Sequence, residues 1–199
     1  MRYARRSGID SHYLLGNLKN LDKWVCWRAV ETDEGTRKKP TAIDQLEQGA
    51  VETAQFKDPD NWMSYTEAIK TVREYDILDG VQVIIDVSTD DFIVIDFDNC
   101  VNPDTGKIDP VVRPYLRMSD SYTELSPSGT GLHTIVRGHI PNQGWPDPDD
   151  AVDGEIFDKY IITVTGNHIA GTSYVAREDS DVLDQYFADH NVSWDELFY

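Results

Sequence analysis

Two aspartates, Asp96 and Asp98, close the apolar run Phe92-Ile93-Val94-Ile95-Asp96-Phe97-Asp98-Asn99-Cys100. A run this rich in β-branched residues predicts a strand buried on both faces, near the middle of a sheet. Side chains alternate across a strand, so Ile93, Ile95 and Phe97 share one face and the two aspartates share the other. Carboxylates about 7 Å apart on a buried strand repel and desolvate each other unless a cation joins them. Oxygen-only ligands of this kind suit Mg²⁺ or Mn²⁺. The competing reading is a strand that has ended, with Asp-Phe-Asp-Asn opening a turn. Residues elsewhere must decide between the two.

The deciding stretch is Ser121-Tyr122-Thr123-Glu124-Leu125-Ser126-Pro127-Ser128-Gly129-Thr130-Gly131-Leu132-His133. Ser128 to Gly131 form a small-residue loop ahead of an apolar strand that begins at Leu132. Glycines let backbone N–H groups approach an anion closely, so Ser128, Gly129 and Gly131 are candidates for a phosphate nest. His133, two residues past the last glycine, can donate to a phosphate from the start of that strand. Glu155, at the head of a later strand beside Gly154, is a third acid; alone, a strand-end glutamate is ordinarily solvated. Lone histidines and Ser-Pro-Gly turns are likewise more often structural, so it is the combination that carries the signal.

These residues need elements to hold them. Leucines at 14, 15, 18 and 21 predict a short helix over 11–23, and Trp24–Val30 a first strand ended by the turn Asp33-Glu34-Gly35. Arg37-Lys38-Lys39-Pro40, the densest basic cluster, reads as a solvated loop unless Lys39 meets a phosphate. Residues 41–60 are polar and irregular. Ser64 and Glu67 make a capping box that opens a helix through about Arg73. Gly80–Asp86 is a second strand, and Val87–Asp90 a turn that would make it a hairpin with the Asp96 strand. Asp86, Asp90 and Asp91 are then turn or strand-end acids. A loop over 102–106, a helix over 109–118, a Pro/Gly/Asp-rich surface excursion over 138–153, strands over 154–158 and 160–165, and a helix over 179–189 complete the chain.

Charge narrows the partners. Eighteen basic against 36 acidic residues leave a net charge of −18 in 199 residues, and eight of the basic residues are lysine. Nucleic-acid proteins are ordinarily basic, so this balance opposes a DNA partner unless the surface is adapted to molar salt. At ~1 M salt the screening length falls to about 3 Å, and repulsion scarcely reaches beyond contact. The halophilic reading is the one adopted. Two cysteines, Cys26 and Cys100, make neither a disulfide framework nor a metal spacing, and read as reduced, buried thiols of a cytoplasmic protein. No stretch has the length of a membrane span, and the N-terminus lacks the apolar segment of a signal peptide.

An Asp-x-Asp strand, then Ser-Gly-x-Gly-x-His, then a carboxylate on a later strand resembles the archaeo-eukaryotic primase superfamily. Trp24–Arg28, Lys39-Pro40, Val94–Cys100, Ser121–His133, Glu155–Asp158 and Thr163–Asn167 are similar to the primase–polymerase domain of phage and plasmid replication proteins. The resemblance implies an α+β fold: a recognition-motif-like mixed or antiparallel sheet flanked by helices, with a smaller N-terminal αβ lobe. It implies an N-terminal arm and short helix over 1–19, a catalytic domain of two lobes over 20–175, and a C-terminal helix and tail over 176–199. Asp96, Asp98 and Glu155 would hold two Mg²⁺ or Mn²⁺ ions, and His133 and Ser128 would touch the incoming nucleotide. Relatives commonly carry an arginine shortly after the third carboxylate; here Lys159, Lys38, Lys39 or Arg137 would take its place. The implied activity is nucleotidyl transfer from nucleoside triphosphates to oligonucleotides on single-stranded DNA. The helicase that usually follows such domains is absent, as in a stand-alone primase or an excised domain.

Trp24, Trp27, Trp62 and Trp145 are candidates for stacking on template bases, with core packing expected for the first two. A metal nuclease shares clustered acids but has no need of a triphosphate loop. A catalytically degenerate domain that binds DNA or recruits a helicase is the non-enzyme alternative. The charge makes its own prediction. Thermal melts should show a melting temperature climbing steeply with KCl toward molar concentrations, as self-repulsion is screened. A melting temperature unchanged across that range would remove the halophilic reading.

Overall fold

The computed structural model describes residues 17–33, 35–138, 154–157 and 159–177, together with 185 and 188. Among these residues, eight strands form two four-stranded sheets, β2-β1-β3-β8 and β5-β6-β4-β7. The strands are β1 (Trp24–Thr32), β2 (Gly35–Pro40), β3 (Gly80–Asp86), β4 (Phe92–Phe97), β5 (Tyr122–Leu125), β6 (Leu132–Arg137), β7 (Gly154–Phe157) and β8 (Lys159–Val164). Among the described residues the α-helices are α1 (Ile43–Glu47), α2 (Tyr65–Glu74), α3 (Val87–Asp90) and α4 (Arg113–Ser119). Antiparallel pairing and few helices agree with the α+β class. The chain divides into two compact units, one reaching to Ile84 and including Ile161–Gly166, the other running from Ile85 to Tyr160 and resuming at Asn167.

In the first unit, β1 and β2 form an antiparallel hairpin from Trp27↔Pro40 to Thr32↔Gly35. The Arg37–Pro40 run, expected to be a loop, is therefore part of a strand. Backbone pairing with β1 orders it, and it lies at the edge of the sheet, where charged side chains discourage further strand addition. Trp24 to Trp27 are all buried, which takes Trp24 and Trp27 out of base stacking. Trp24 donates through Nε1 to Leu18 O at 3.3 Å and meets Tyr65 edge-on at 5.0 Å. Helix α2 begins where the capping box predicts, with Ser64 and Glu67 satisfying each other's backbone N–H groups. Of the expected 11–23 helix, residues 11–16 lie outside the described residues, and the remainder is one 3₁₀ turn over Leu18–Asn20. That turn buries Leu18 and ends at an extended Leu21, short of the expected residue 23.

The second sheet contains the Asp96 strand, which is interior as expected. The hairpin expected from β3 to β4 is not formed. β3 pairs with β1, whereas β4 pairs with β6 and β7. A tight hairpin needs a primed turn; here Val87–Asp90 instead winds into a helical turn, and the Asp90 carboxylate accepts from Asp86 N at 3.1 Å. Asp91 then redirects the chain with φ +56° and sits 3.6 Å from Arg137. Ile93, Ile95 and Phe97 pack with Leu132, Val136, Ile156 and Tyr115 in one apolar cluster. α4 starts at Arg113 with Pro114 in its first turn, later than the expected 109, because Asp109 forms a turn with Val111 N. The 139–153 excursion and Trp145 lie outside the described residues, as does the C-terminal helix apart from residues 185 and 188, both helical. No described helix is long and apolar enough to cross a membrane.

Both cysteines are buried and unpaired, and burial pushes each thiol up to about 12. Thiolate is the reactive form, so a disulfide-exchange reagent at pH 8 should leave the native protein unlabelled and modify both thiols after guanidinium unfolding. Rapid labelling of either native thiol would contradict this packing.

Candidate active site

The second sheet carries a transverse row of polar residues. Going from β5 to β7, Glu124 lies opposite His133, His133 opposite Asp96, and Asp96 opposite Glu155. Directly opposed residues of antiparallel strands leave the same face with Cβ atoms about 5 Å apart. Glu124, His133 and Asp96 therefore project together, away from the face of Ile93, Ile95, Phe97, Leu132 and Val136. Glu155 enters by register, having the position expected of a fourth member.

Exposure increases along this row. Glu124 is fully buried, His133 is 6% exposed, and Asp96 reaches 24%. Glu124 accepts a hydrogen bond from Tyr122 Oη at 2.8 Å through one oxygen. Its other oxygen lies 3.5 Å from His133 Nδ1, while His133 Nε2 lies 3.7 Å from Asp96 Oδ1. A carboxylate without solvent is tolerated only with polar partners around it; here the Tyr122 phenol donates to it and the His133 imidazole stands 3.5 Å away. One imidazole nitrogen faces the buried Glu124 and the other faces the partly exposed Asp96.

Asp98 differs from expectation. β4 ends at Phe97, and Asp98 is exposed in the turn that follows, where Asn99 adopts φ +49°. The two aspartates are thus a strand residue and a turn residue, not two members of one buried strand. Their negative charges still register on Cys100, whose thiol is raised mainly by burial and further by Asp96, Asp98 and Asp109. Cys100 is for this reason a packing residue and no thiolate ligand.

The glycine loop is drawn against the end of β4. A Cβ on Gly131 would lie 2.6 Å from the Phe97 carbonyl oxygen and 3.6 Å from Asp98 Cα. Only a glycine permits that approach. The loop is braced internally: Gly131 N donates to Ser126 Oγ at 3.1 Å, and the Ser126, Ser128 and Thr130 hydroxyls form a chain at 2.9 Å per link. Gly129 takes φ +78°, and Ser128 is exposed. The Asp96–Asp98 segment, Ser128, Gly131 and His133 are brought together by these contacts. Lys39, on β2, and Lys159, which opens β8, belong to the other sheet. Among the described residues, no group of three His, Cys, Asp or Glu side chains is arranged to hold a metal ion; the Glu155 side chain is not among them.

Glu124 is the residue that pattern reading passed over. Its signal was available by counting: a tight turn at Ser126–Gly131 pairs positions placed symmetrically about it, Leu125 with Leu132 and Glu124 with His133.

No family model matches the chain. A curated relative does. The chain is 27% identical over 178 residues to the DNA primase-polymerase of Nitratiruptor phage NrS-1, a match covering 88% of this chain and 23% of that protein. The chain therefore spans less than a quarter of the length of the curated relative it matches. The matched stretch is long enough to include the greater part of both sheets.

Gly131 supplies a test of the loop geometry. Gly131→Ala should destabilise the fold by about 1–3 kcal/mol, because the new methyl group meets backbone that cannot rotate away. A chemical denaturation curve superimposable on that of the unmodified protein would show that the loop does not make this approach.

Proposed function

We propose that the chain performs metal-dependent nucleotidyl transfer, starting or extending an oligonucleotide on a single-stranded DNA template with nucleoside triphosphates. The observation that carries this reading is the transverse row Glu124–His133–Asp96, with Glu155 next in register, beside a glycine loop at the end of β4. The likeness to a phage DNA primase-polymerase supports it independently. A metal nuclease would need the acids alone. A histidine anchored from behind and a hydroxyl-braced loop are better suited to holding a triphosphate.

Asp96, Asp98 and Glu155 offer oxygen donors only, and Asp96 and Asp98 are at least partly open to solvent, so this donor set fits Mg²⁺ or Mn²⁺. Such ions, when bound, supply charge neutralisation between an attacking 3′-hydroxyl and the α-phosphate. The remaining work falls to the chain's own groups. His133 is oriented by Glu124 and donates from Nε2 to a phosphate oxygen. Ser128, the exposed middle member of the hydroxyl chain, donates its O–H to the same triphosphate. Glu124 touches no substrate; it is a positioning residue that acts through His133.

Primer synthesis in molar salt, with Mg²⁺ or Mn²⁺, a single-stranded template and each nucleotide set, is the direct test. Asp96→Asn should abolish product while leaving the fold intact. His133→Ala should raise nucleotide KM or lower kcat by roughly ten- to a hundredfold, as loss of a phosphate-directed hydrogen bond does. Glu124→Gln keeps an acceptor for Tyr122 Oη and should shift nucleotide KM in the same direction as His133→Ala, with template affinity unchanged. Template degradation instead of synthesis would favour the nuclease. Template binding with no nucleotide-dependent product would leave a binding-only domain.

A further inference from the structure

The second unit also holds a cavity of about 560 Å³, walled by the 106–108 loop, α4 and residues 169–172. In the whole chain basic residues are half as common as acidic ones, 18 against 36. Around the cavity that balance is reversed: Lys107, Arg113 and Arg117 line it, against Asp120 as the sole acid. Asp120 lies 3.5 Å from Arg177, which offsets its charge. Arg113 is fixed in place, donating from Nε and Nη2 to Ile108 O at 3.3 and 3.1 Å. Arg113 and Arg117 stand four residues apart on α4, neighbours on one helix face. Leu116 and Ile169, which pack against the core of the sheet, add apolar surface to the lining.

Cationic and apolar walls around a space of this size suit a group that pairs a phosphate with a flat, largely apolar ring. All three cations are exposed, which suits a polymer passing across the opening better than a ligand enclosed within it. A chain with net charge −18 repels a polyanion over most of its surface, so a strand must be met where the local sign is reversed. On the nucleotidyl-transfer reading above, we propose that this cavity holds a single-stranded nucleic acid, the template or the product, by its phosphates. Lys107, Arg113 and Arg117 neutralise the backbone, and a base rests on the Leu116–Ile169 surface.

The test is a double substitution, Lys107→Ala with Arg117→Ala, in the full chain, leaving Arg113 and its hydrogen bonds in place. Anisotropy of a labelled thymidine 20-mer across a salt series reads strand affinity, and calorimetry with a Mg²⁺–nucleotide complex reads the other site. Strand affinity should fall roughly tenfold, and the slope of log K against log salt should become shallower by about 1.4, since each lost phosphate contact removes about 0.7. Nucleotide affinity should be unchanged. Unaltered strand affinity and slope would overturn the proposal, as would a wild-type protein that binds no strand. So would loss of nucleotide affinity with strand affinity intact, which would give the cavity to a free nucleotide. Should the alanine pair melt early, Lys107→Gln with Arg117→Gln removes the same charges with more of the side-chain packing retained. A wild-type protein that binds the strand here, yet binds no nucleotide and makes no product, would refute nucleotidyl transfer and leave the strand site standing.

Discussion

The carboxylate of Glu124, wholly removed from solvent, constrains the second sheet more than any other group in it. Such a group is tolerated only where polar partners meet it: Tyr122 on its own strand donates to it, and His133 Nδ1 on the next strand lies 3.5 Å away. The His133 contact depends on the β5–β6 register. A slip of one residue there would turn Glu124 to the face of Ile93, Ile95 and Phe97 while His133 stayed on the other, placing a charge against the apolar cluster. The polar row and the hydrophobic core therefore specify the same pairing. Each penalises the errors that the other would allow.

From that buried end, the row opens toward solvent through His133 to Asp96. The gradient leaves one end of the row closed to solvent and the other open to it. The loop before β6 obeys the same economy of space. Gly131 brings it against the Phe97 carbonyl, and three hydroxyls brace it where no side chain could reach inward. The glycine loop, His133 and the acids at the end of β4 thus lie together at one end of the strands.

Charge distribution gives the chain a second level of organisation. With twice as many acids as bases, the few basic clusters are informative by position. One is the edge strand β2, where Arg37, Lys38 and Lys39 protect an open sheet edge from further pairing. Another surrounds the cavity beside α4, where the same residue types face a recess with apolar walls. The same charges serve as a guard in one place and as a candidate contact in the other, according to what lies behind them.

Local signals alone determined much of this protein. The β4 strand and its central place follow from a run of β-branched residues, α2 and its start from a capping box, and the buried tryptophans of β1 from an apolar stretch. His133 and the loop ahead of it were legible from residue types and spacing, and Glu124 could have been found by counting across the turn. Other features were decided only by tertiary structure, because they depend on which strand meets which. Nothing local to Val87–Asp90 says that β3 and β4 enter different sheets, and Arg37–Pro40 is a strand only because β1 lies beside it. The end of β4 at Phe97, which separates Asp98 from Asp96, follows from the left-handed turn at Asn99 and the approach of Gly131. Periodicity reports the face a residue will take; the row from Glu124 to Asp96 also required the β5–β6 hairpin to pair with β4, a strand distant from it in the chain.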